Sequence, residues 1–142
     1  FARNTSGIYM EGTSRIKVEK NSFESNGWGM KIQASCMENE IVNNNFLKNT
    51  FDISTNGSLV LNTFNANYWD KYEGYDLDKD GMGDVTYHPL SLLAVLTENT
   101  PSAMLLYRSF MITLLDKSEK VLPSITPDNF VDNKPLMKSL PL

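Results

Sequence analysis

A tandem repeat in the first 67 residues constrains the fold more than any other feature of this chain. The motif Asn-x-Phe-x-x-Asn begins at Asn21, at Asn44 and again at Asn62. An upstream segment that starts at Phe1 matches the frame that starts at Phe23, a shift of 22 residues. A unit of that size is too small to bury its own apolar face, so such units stack into a solenoid.

Alternating apolar residues within each repeat predict short strands with one face turned inward. Aligned repeats predict columns of like residues: Ile8, Met30 and Phe51; Met10, Ile32 and Ile53; Val18, Ile41 and Leu59; Phe1, Phe23, Phe46 and Phe64; Asn4, Asn26, Asn49 and Asn67; and Asn21, Asn44 and Asn62. Asparagine tolerates the left-handed backbone of sharp corners and can hydrogen-bond from one repeat to the next. The pattern therefore predicts an all-β fold, a right-handed parallel β-helix.

The chain divides into three parts on this interpretation. Residues 1–67 are the last rungs of the β-helix, and residues 68–88 form an aromatic and acidic capping loop. Residues 89–142 form a helical and extended docking tail. The shorter last repeat interval predicts that the β-helix ends near residue 67. Because Phe1 already occupies a repeat position and no signal peptide precedes it, we expect the C-terminal part of a longer protein.

The acidic loop resembles the start of an EF-hand calcium loop, with aspartates at positions 1, 3, 5 and 9. Gly81 occupies position 6 and permits the sharp turn, but Tyr87 stands at position 12, where an EF-hand has glutamate. A polar turn whose aspartates cap their own backbone is the alternative. The candidate calcium ligands are Asp76, Asp78, Asp80, Met82 and Asp84.

Aromatic residues and the only histidine lie around this loop. We expect the aromatic group to close the end of the β-helix, with a sugar-binding platform as the alternative. His88 is a candidate copper ligand without a second histidine at metal-site spacing, and a capping residue otherwise. The aromatic group comprises Trp69, Tyr72, Tyr75 and Tyr87.

The tail changes in composition from asparagine to leucine, serine and proline. Thr100 and Pro101 predict a helix start, and the helix is expected to run to about Val121. The apolar surface of this helix is too wide to be buried by packing on one side. The helix therefore either packs on the β-helix with a second surface also buried, or docks on a partner. The final twenty residues are predicted to form an extended arm over another protein. The candidate docking residues are Tyr107, Phe110, Met111, Leu114 and Met137.

Composition excludes several functional classes. The net charge of −4 comes from 17 acidic and 13 basic residues without a basic run, which argues against nucleic-acid binding. No apolar run reaches the ~20 residues that cross a bilayer. Cys36 is the only cysteine, so an internal disulfide is excluded.

Several segments combine into one pattern along the chain: the Asn/Phe rungs, the stretch from Asn67-Tyr-Trp to Asp84, Tyr87-His-Pro, Ser109-Phe-Met-x-x-Leu-Leu-Asp116, Leu122-Pro-Ser-x-Thr-Pro127 and Pro135-Leu-Met-Lys138. Through this combination the whole chain resembles the NosD family. The resemblance implies a periplasmic, membrane-peripheral and non-enzymatic scaffold that assists copper-centre assembly of nitrous oxide reductase. It implies as partners the membrane subunit of an ABC transporter and the apo-reductase or a copper chaperone.

Two other functions remain open from the residues alone. One is a carbohydrate-binding or carbohydrate-active β-helix, although Glu11, Glu19, Glu24 and Asp52 share no column and so indicate no active site. The other is a surface scaffold stabilised by calcium.

Overall fold

The computed structural model describes residues 1–56, 61–90 and 130–142. Within these ranges the secondary structure consists of short strands and connecting bends. The strands are β1 (Ser6–Met10), β2 (Lys17–Glu19), β3 (Ser22–Glu24), β4 (Trp28–Ile32), β5 (Glu40–Val42), β6 (Asn45–Leu47), β7 (Phe51–Ser54), β8 (Thr63–Asn65) and β9 (Tyr68–Trp69).

Each of the strands β1 to β6 pairs in parallel with the strand three places further along the chain. The first sheet is β1-β4-β7, the second is β2-β5-β8 and the third is β3-β6-β9. Each turn of the chain thus adds one strand to each of three sheets, which is the arrangement of a parallel β-helix. The predicted all-β architecture with parallel strands is confirmed.

The rungs repeat every 22 residues between β1 and β4 and every 23 residues in the other strand pairs, which corrects the predicted alignment of the third repeat. Phe46 pairs with Trp69, and Ile41 pairs with Phe64. The prediction that Phe64 continues the Phe23–Phe46 column is wrong. In the second rung the motif Asn-x-apolar occurs at Asn39 and, five residues later, at Asn44, and Asn62-Thr-Phe64 matches the first occurrence rather than the second. The third rung is therefore of full length, and its apparent shortening was a shift between the two motifs.

The same correction applies to the other columns. Met30 pairs with Ile53, whereas Phe51 pairs with Trp28. The predicted Ile8–Met30–Phe51 column is therefore wrong in its third member, which is Ile53, two residues further along. Phe64 takes the place above Ile41 that was predicted for Leu59, which lies outside the described residues. The asparagine columns regroup as Asn21, Asn44 and Asn67; Asn4, Asn26 and Asn49; and Asn39 and Asn62.

An aromatic stack fills the core along the helix axis. The ring centroids of Phe23 and Phe46 are 4.8 Å apart, and those of Phe46 and Trp69 are 4.2 Å apart. The backbone beside the stack is so close that a Cβ on Gly29 would lie 2.7 Å from the carbonyl oxygen of Asp52. The close spacing of the rungs therefore requires glycine at this position.

Asparagine ladders connect the rungs at their corners. The backbone N–H and the side-chain amide of Asn44 both donate to Oδ1 of Asn67, each at 3.0 Å. The left-handed residue of the corner is the one before the asparagine, as at Lys20 and Ala66. Asparagine is thus used for its amide hydrogen bonds, and the backbone strain of the corner falls on its neighbour.

Replacement of a ladder asparagine should destabilise the fold strongly. Asn44 is fully buried, and its amide also donates to the carbonyl oxygens of Val18 and Val42. We expect Asn44→Ala to lower the free energy of unfolding by about 2–4 kcal/mol, because buried polar groups lose their partners. Urea unfolding would measure the change. The exposed Asn65→Ala in β8 is the matched control, and equal effects of both substitutions would contradict this account.

Candidate functional site

The C-terminal segment adds a partial fourth turn to the β-helix. Leu90 bridges to Ile53 in the first sheet, Asp132 to Phe64 in the second and Leu136 to Tyr68 in the third, all in parallel. We call residues 87–90 and 130–136 the closing turn. Each sheet edge of the last rung is therefore covered by backbone from beyond the repeats.

Asp132 is the centre of the closing turn. It is fully buried, and its Oδ2 accepts hydrogen bonds from the N–H of Asn67, the side-chain amide of Asn67 and Nε1 of Trp69. Its Oδ1 accepts from the N–H groups of Ala66 and Lys134. The two bonds from Asn67 are those that a further asparagine would receive, so a carboxylate ends the ladder in place of an amide.

Loss of this carboxylate should open the end of the β-helix. We expect Asp132→Ala to cost at least about 3 kcal/mol of unfolding free energy, since five donors lose a charged acceptor. The unfolding free energy of Asp132→Asn, which keeps one acceptor oxygen, should lie between those of the wild type and Asp132→Ala. Urea unfolding followed by the fluorescence of Trp69 would report the change. The exposed neighbour Asn133→Ala should stay within about 0.5 kcal/mol of the wild type, and a similar result for Asp132→Ala would refute the capping role.

A second buried carboxylate lies in the last rung. Asp52 is only 2% exposed, and Nζ of Lys71 lies 3.3 Å from its Oδ2. Asn49 donates its side-chain amide to Oδ1 of Asp52 at 3.4 Å. Burial raises the pKa of Asp52, and the nearby Asp70 adds to this, while Lys71 opposes it. The group thus ties the first residues after β9 to strand β7.

Asp52 should make stability depend on pH in a defined direction. Because its folded pKa is raised above 3.8, its contribution is fully present below 3.8 and is lost as the pH rises through the folded value. We expect wild type to gain stability relative to Asp52→Asn as the pH falls from neutral to about 4. Urea unfolding at both pH values measures this. The exposed Glu11→Gln is the control, and parallel stability curves for wild type and Asp52→Asn would contradict the prediction.

The acidic loop brings three of its predicted ligands together. Carboxylate oxygens of Asp76, Asp78 and Asp80 lie within 4.8 Å of one another. Asp84 is turned to the backbone instead, since its Oδ2 accepts from the N–H of Leu77 at 2.7 Å. Met82 is half-buried and bridges to Leu136 of the closing turn.

Each of the three aspartates accepts a hydrogen bond from a backbone N–H group of its own loop. Partial burial acts to raise the pKa of Asp76, but backbone N–H donors led by Gly81 outweigh it and lower that pKa. The Asp80 N–H lowers the pKa of Asp78, and desolvation together with repulsion from Asp80 outweighs it and raises that pKa. Hard oxygen donors of this kind suit calcium or magnesium. Calcium binding by this loop stays a prediction.

The described residues do not fit a copper site. Cys36 is fully buried in the core, where its Sγ contacts the Thr13 hydroxyl at 3.3 Å. His88 is half-buried, and its Nδ1 has no hydrogen-bond partner in the described structure. The one group of three candidate ligands in the described ranges consists of aspartates, whereas copper favours imidazole and sulfur ligands.

The predicted docking residues divide between two regions. Tyr107, Phe110, Met111 and Leu114, with the predicted helix, lie outside the described residues. Met137 is half-buried, and its N–H donates to the carbonyl oxygen of Gly81 at 3.0 Å. Further along, the backbone of Leu140 exchanges two hydrogen bonds with the side-chain amide of Asn45. Residues 130–142 thus contact this chain's own β-helix rather than extending away as an arm.

Sequence reasoning missed Asp132 and Asp52. Asp132 follows Asn67 by 65 residues rather than 23, so no periodic signal marks it. Asp52 occupies the register position of Gly29, between the pairs Trp28–Phe51 and Met30–Ile53. For Asp52 the one available signal was its position, since it stands where the preceding rung has a glycine in an inward column.

The closed end also contains the expected aromatic cluster. Trp69 contacts Tyr87 at 5.3 Å between ring centroids, and Tyr72 packs edge-on against Tyr87 at 5.8 Å. Tyr75 is 56% exposed and lies apart from this core.

Within the described ranges we find no helix with the length and apolar character that a membrane crossing requires.

Comparisons with known proteins identify relatives of this chain. The model of the family described as periplasmic copper-binding protein (NosD) matches residues 1–74. A probable ABC transporter binding protein NosD of Pseudomonas aeruginosa is 31% identical over 125 residues, covering 86% of this chain and 29% of the relative. The protein of that name from Stutzerimonas stutzeri is 31% identical over 124 residues, covering 85% of this chain and 28% of the relative. The chain therefore spans less than a third of the length of these relatives.

Proposed function

This chain belongs to the NosD family, and we propose that it forms the closed end of a non-enzymatic periplasmic scaffold. The scaffold binds an ABC transporter and assists copper-centre assembly of nitrous oxide reductase. The family description as periplasmic and the relatives' description as transporter-binding support this proposal. The apo-reductase or a copper chaperone is the second partner in this scheme.

The closing turn is the structural observation that carries the proposal. Leu90 and Phe130 are both buried, at 1% and 0% exposure, on the last rung of the β-helix. The segment from 91 to 129, which contains the predicted docking helix, therefore leaves and rejoins the β-helix at buried anchor points. Insertions in solenoid proteins commonly gather on one face and form the binding surface.

The arrangement of carboxylates favours a scaffold over a carbohydrate-active enzyme. Glu11, Glu19 and Glu24 are exposed in different parts of the rungs, and Asp52 is buried beside Lys71. Glycoside hydrolysis needs two carboxyl groups about 5–10 Å apart on either side of the substrate. Among the described carboxylates, the group of three lies on a loop and binds backbone N–H donors.

Copper is the cargo of the proposed assembly rather than a resident cofactor of this chain's rungs. The sulfur atom of Cys36 and the buried Met10 and Met30 belong to the core of the β-helix. Their role in the described structure is packing. The proposal accordingly assigns no copper ligand to the rungs or the closing turn.

Disruption of the predicted docking helix should abolish maturation of the reductase. In a host that makes the full-length protein, we expect Phe110→Asp together with Leu114→Asp to leave the reductase without its copper. The reason is that charged groups on an apolar docking surface lose their hydration when the partner binds, which costs free energy. Metal content and activity of the purified reductase are the measurements.

Matched variants separate docking from folding. Ser118→Asp introduces one charge of the same sign at a polar position of the predicted helix and should leave maturation intact. A second variant replaces residues 91–129 by a Gly/Ser linker and keeps residues 130–142, so that the closing turn is retained. A fully loaded reductase with the double aspartate variant would refute the docking role.

A further inference from the structure

The acidic loop exposes three apolar side chains to solvent. Tyr75 is 56% exposed, Leu77 is 76% exposed and Val85 is 39% exposed. We call these three residues the loop face. Tyrosine is enriched at the core of protein-binding surfaces and among the residues that contribute most of the binding energy.

Backbone hydrogen bonds hold the loop face in a fixed shape. The N–H of Asp84 donates to the carbonyl oxygen of Tyr75 at 2.8 Å, and the N–H of Leu77 donates to Asp84 Oδ2 at 2.7 Å. The hydroxyl of Tyr72 donates to the carbonyl oxygen of Val85 at 2.6 Å. These bonds place residues 75–77 beside residues 84–85, so the loop face is organised before any partner arrives, which lowers the entropic cost of binding.

Negative charge surrounds the loop face. Residues 70–85 contain six carboxylates and two lysines, a net charge of −4 that equals that of the whole chain. One of the lysines, Lys71, directs its Nζ to the buried Asp52 and to the carbonyl oxygens of Asn49 and Thr50. Asp78, Asp80 and Asp84 are exposed. A partner surface that complements this region therefore has positive charge around an apolar centre.

We propose that the loop face docks on a basic, apolar-centred surface of a partner protein, which in the assembly proposed above is the ABC transporter. This inference rests on the proposed function. It adds a second contact to the one expected from the predicted docking helix, and it assigns the acidic loop to partner recognition.

Another exposed apolar set on the described β-helix lacks this charge signature. Ile16, Met37 and Leu61 lie at the corner between the first and second sheets, at 45%, 49% and 69% exposure. Beside them Arg15 pairs with Glu38 at 3.0 Å, so the charges of both signs are already matched. This corner therefore provides a control surface with similar exposure of leucine.

Site-specific crosslinking tests the inference. A photoreactive amino acid is placed at Leu77 or, as the control, at Leu61 of the full-length protein in cells that also make the transporter. We expect Leu77 to crosslink to the transporter and Leu61 not to. Leu77→Ser should weaken binding of the purified transporter about tenfold, as is typical of a central interface residue, and Leu61→Ser should not.

Charge variants test the electrostatic part. Asp78→Asn with Asp80→Asn removes two charges but keeps the acceptor oxygens that bind the N–H groups of Asp80 and Met82. We expect weaker transporter binding at low salt and a smaller loss of affinity on raising the salt, because two ionic contacts are gone. Glu19→Gln with Glu40→Gln on the second sheet is the control pair.

The outcomes separate this inference from the proposed function. If wild-type protein does not retain the transporter at all, the proposed function fails. If the transporter is retained but Leu77 does not crosslink and the asparagine pair binds normally, only the docking inference fails. Binding that requires calcium and is weakened by the asparagine pair at every salt concentration would also overturn it, because the aspartates would then act as metal ligands.

Discussion

The rest of the structure depends on the hydrogen bonds that asparagine side chains make from rung to rung at the corners of the β-helix. In the ladder of Asn21, Asn44 and Asn67, one oxygen receives both the backbone N–H and the amide of the asparagine on the preceding rung. A period of 23 residues keeps these groups in line. The same register places Phe23, Phe46 and Trp69 face to face, so the hydrogen bonds of the corner and the aromatic core depend on each other.

A ladder of this kind needs an acceptor after its last member. Asp132 supplies it with a carboxylate, which accepts on both oxygens and so also satisfies Ala66, Lys134 and Trp69. Charge-assisted hydrogen bonds are stronger than those to a neutral amide, and five donors are enough to hold a buried charge. The end of the β-helix is therefore sealed by polar chemistry as well as by the aromatic cluster around Tyr87.

The architecture could be predicted from sequence because it repeats, and the errors arose where the repetition is ambiguous. Parallel strands follow from a short period of alternating apolar residues. The register of the third rung could not be predicted in this way, because Asn39-Glu-Ile41 and Asn44-Asn-Phe46 look alike and a motif search accepts either. The closing turn could not be found at all, since Leu90 and Asp132 are joined to the rungs by pairing over long sequence separations. In the acidic loop, the structure brings carboxylate oxygens of Asp76, Asp78 and Asp80 within 4.8 Å of one another, whereas Asp84 Oδ2 accepts a hydrogen bond from Leu77, and the ligand roles of these residues stay a prediction.

The long sequence separation between Asp132 and the ladder that it ends has a consequence for biogenesis. Rungs of a solenoid can form one after another as the chain emerges, because each pairs with its immediate predecessor. The last rung here stays unsealed until residue 132, which follows Asn67 by 65 residues, becomes available to Asn67 and Trp69. A chain that is cut short or stalled before that point keeps open strand edges on its last rung, and such edges can pair with the edges of other chains.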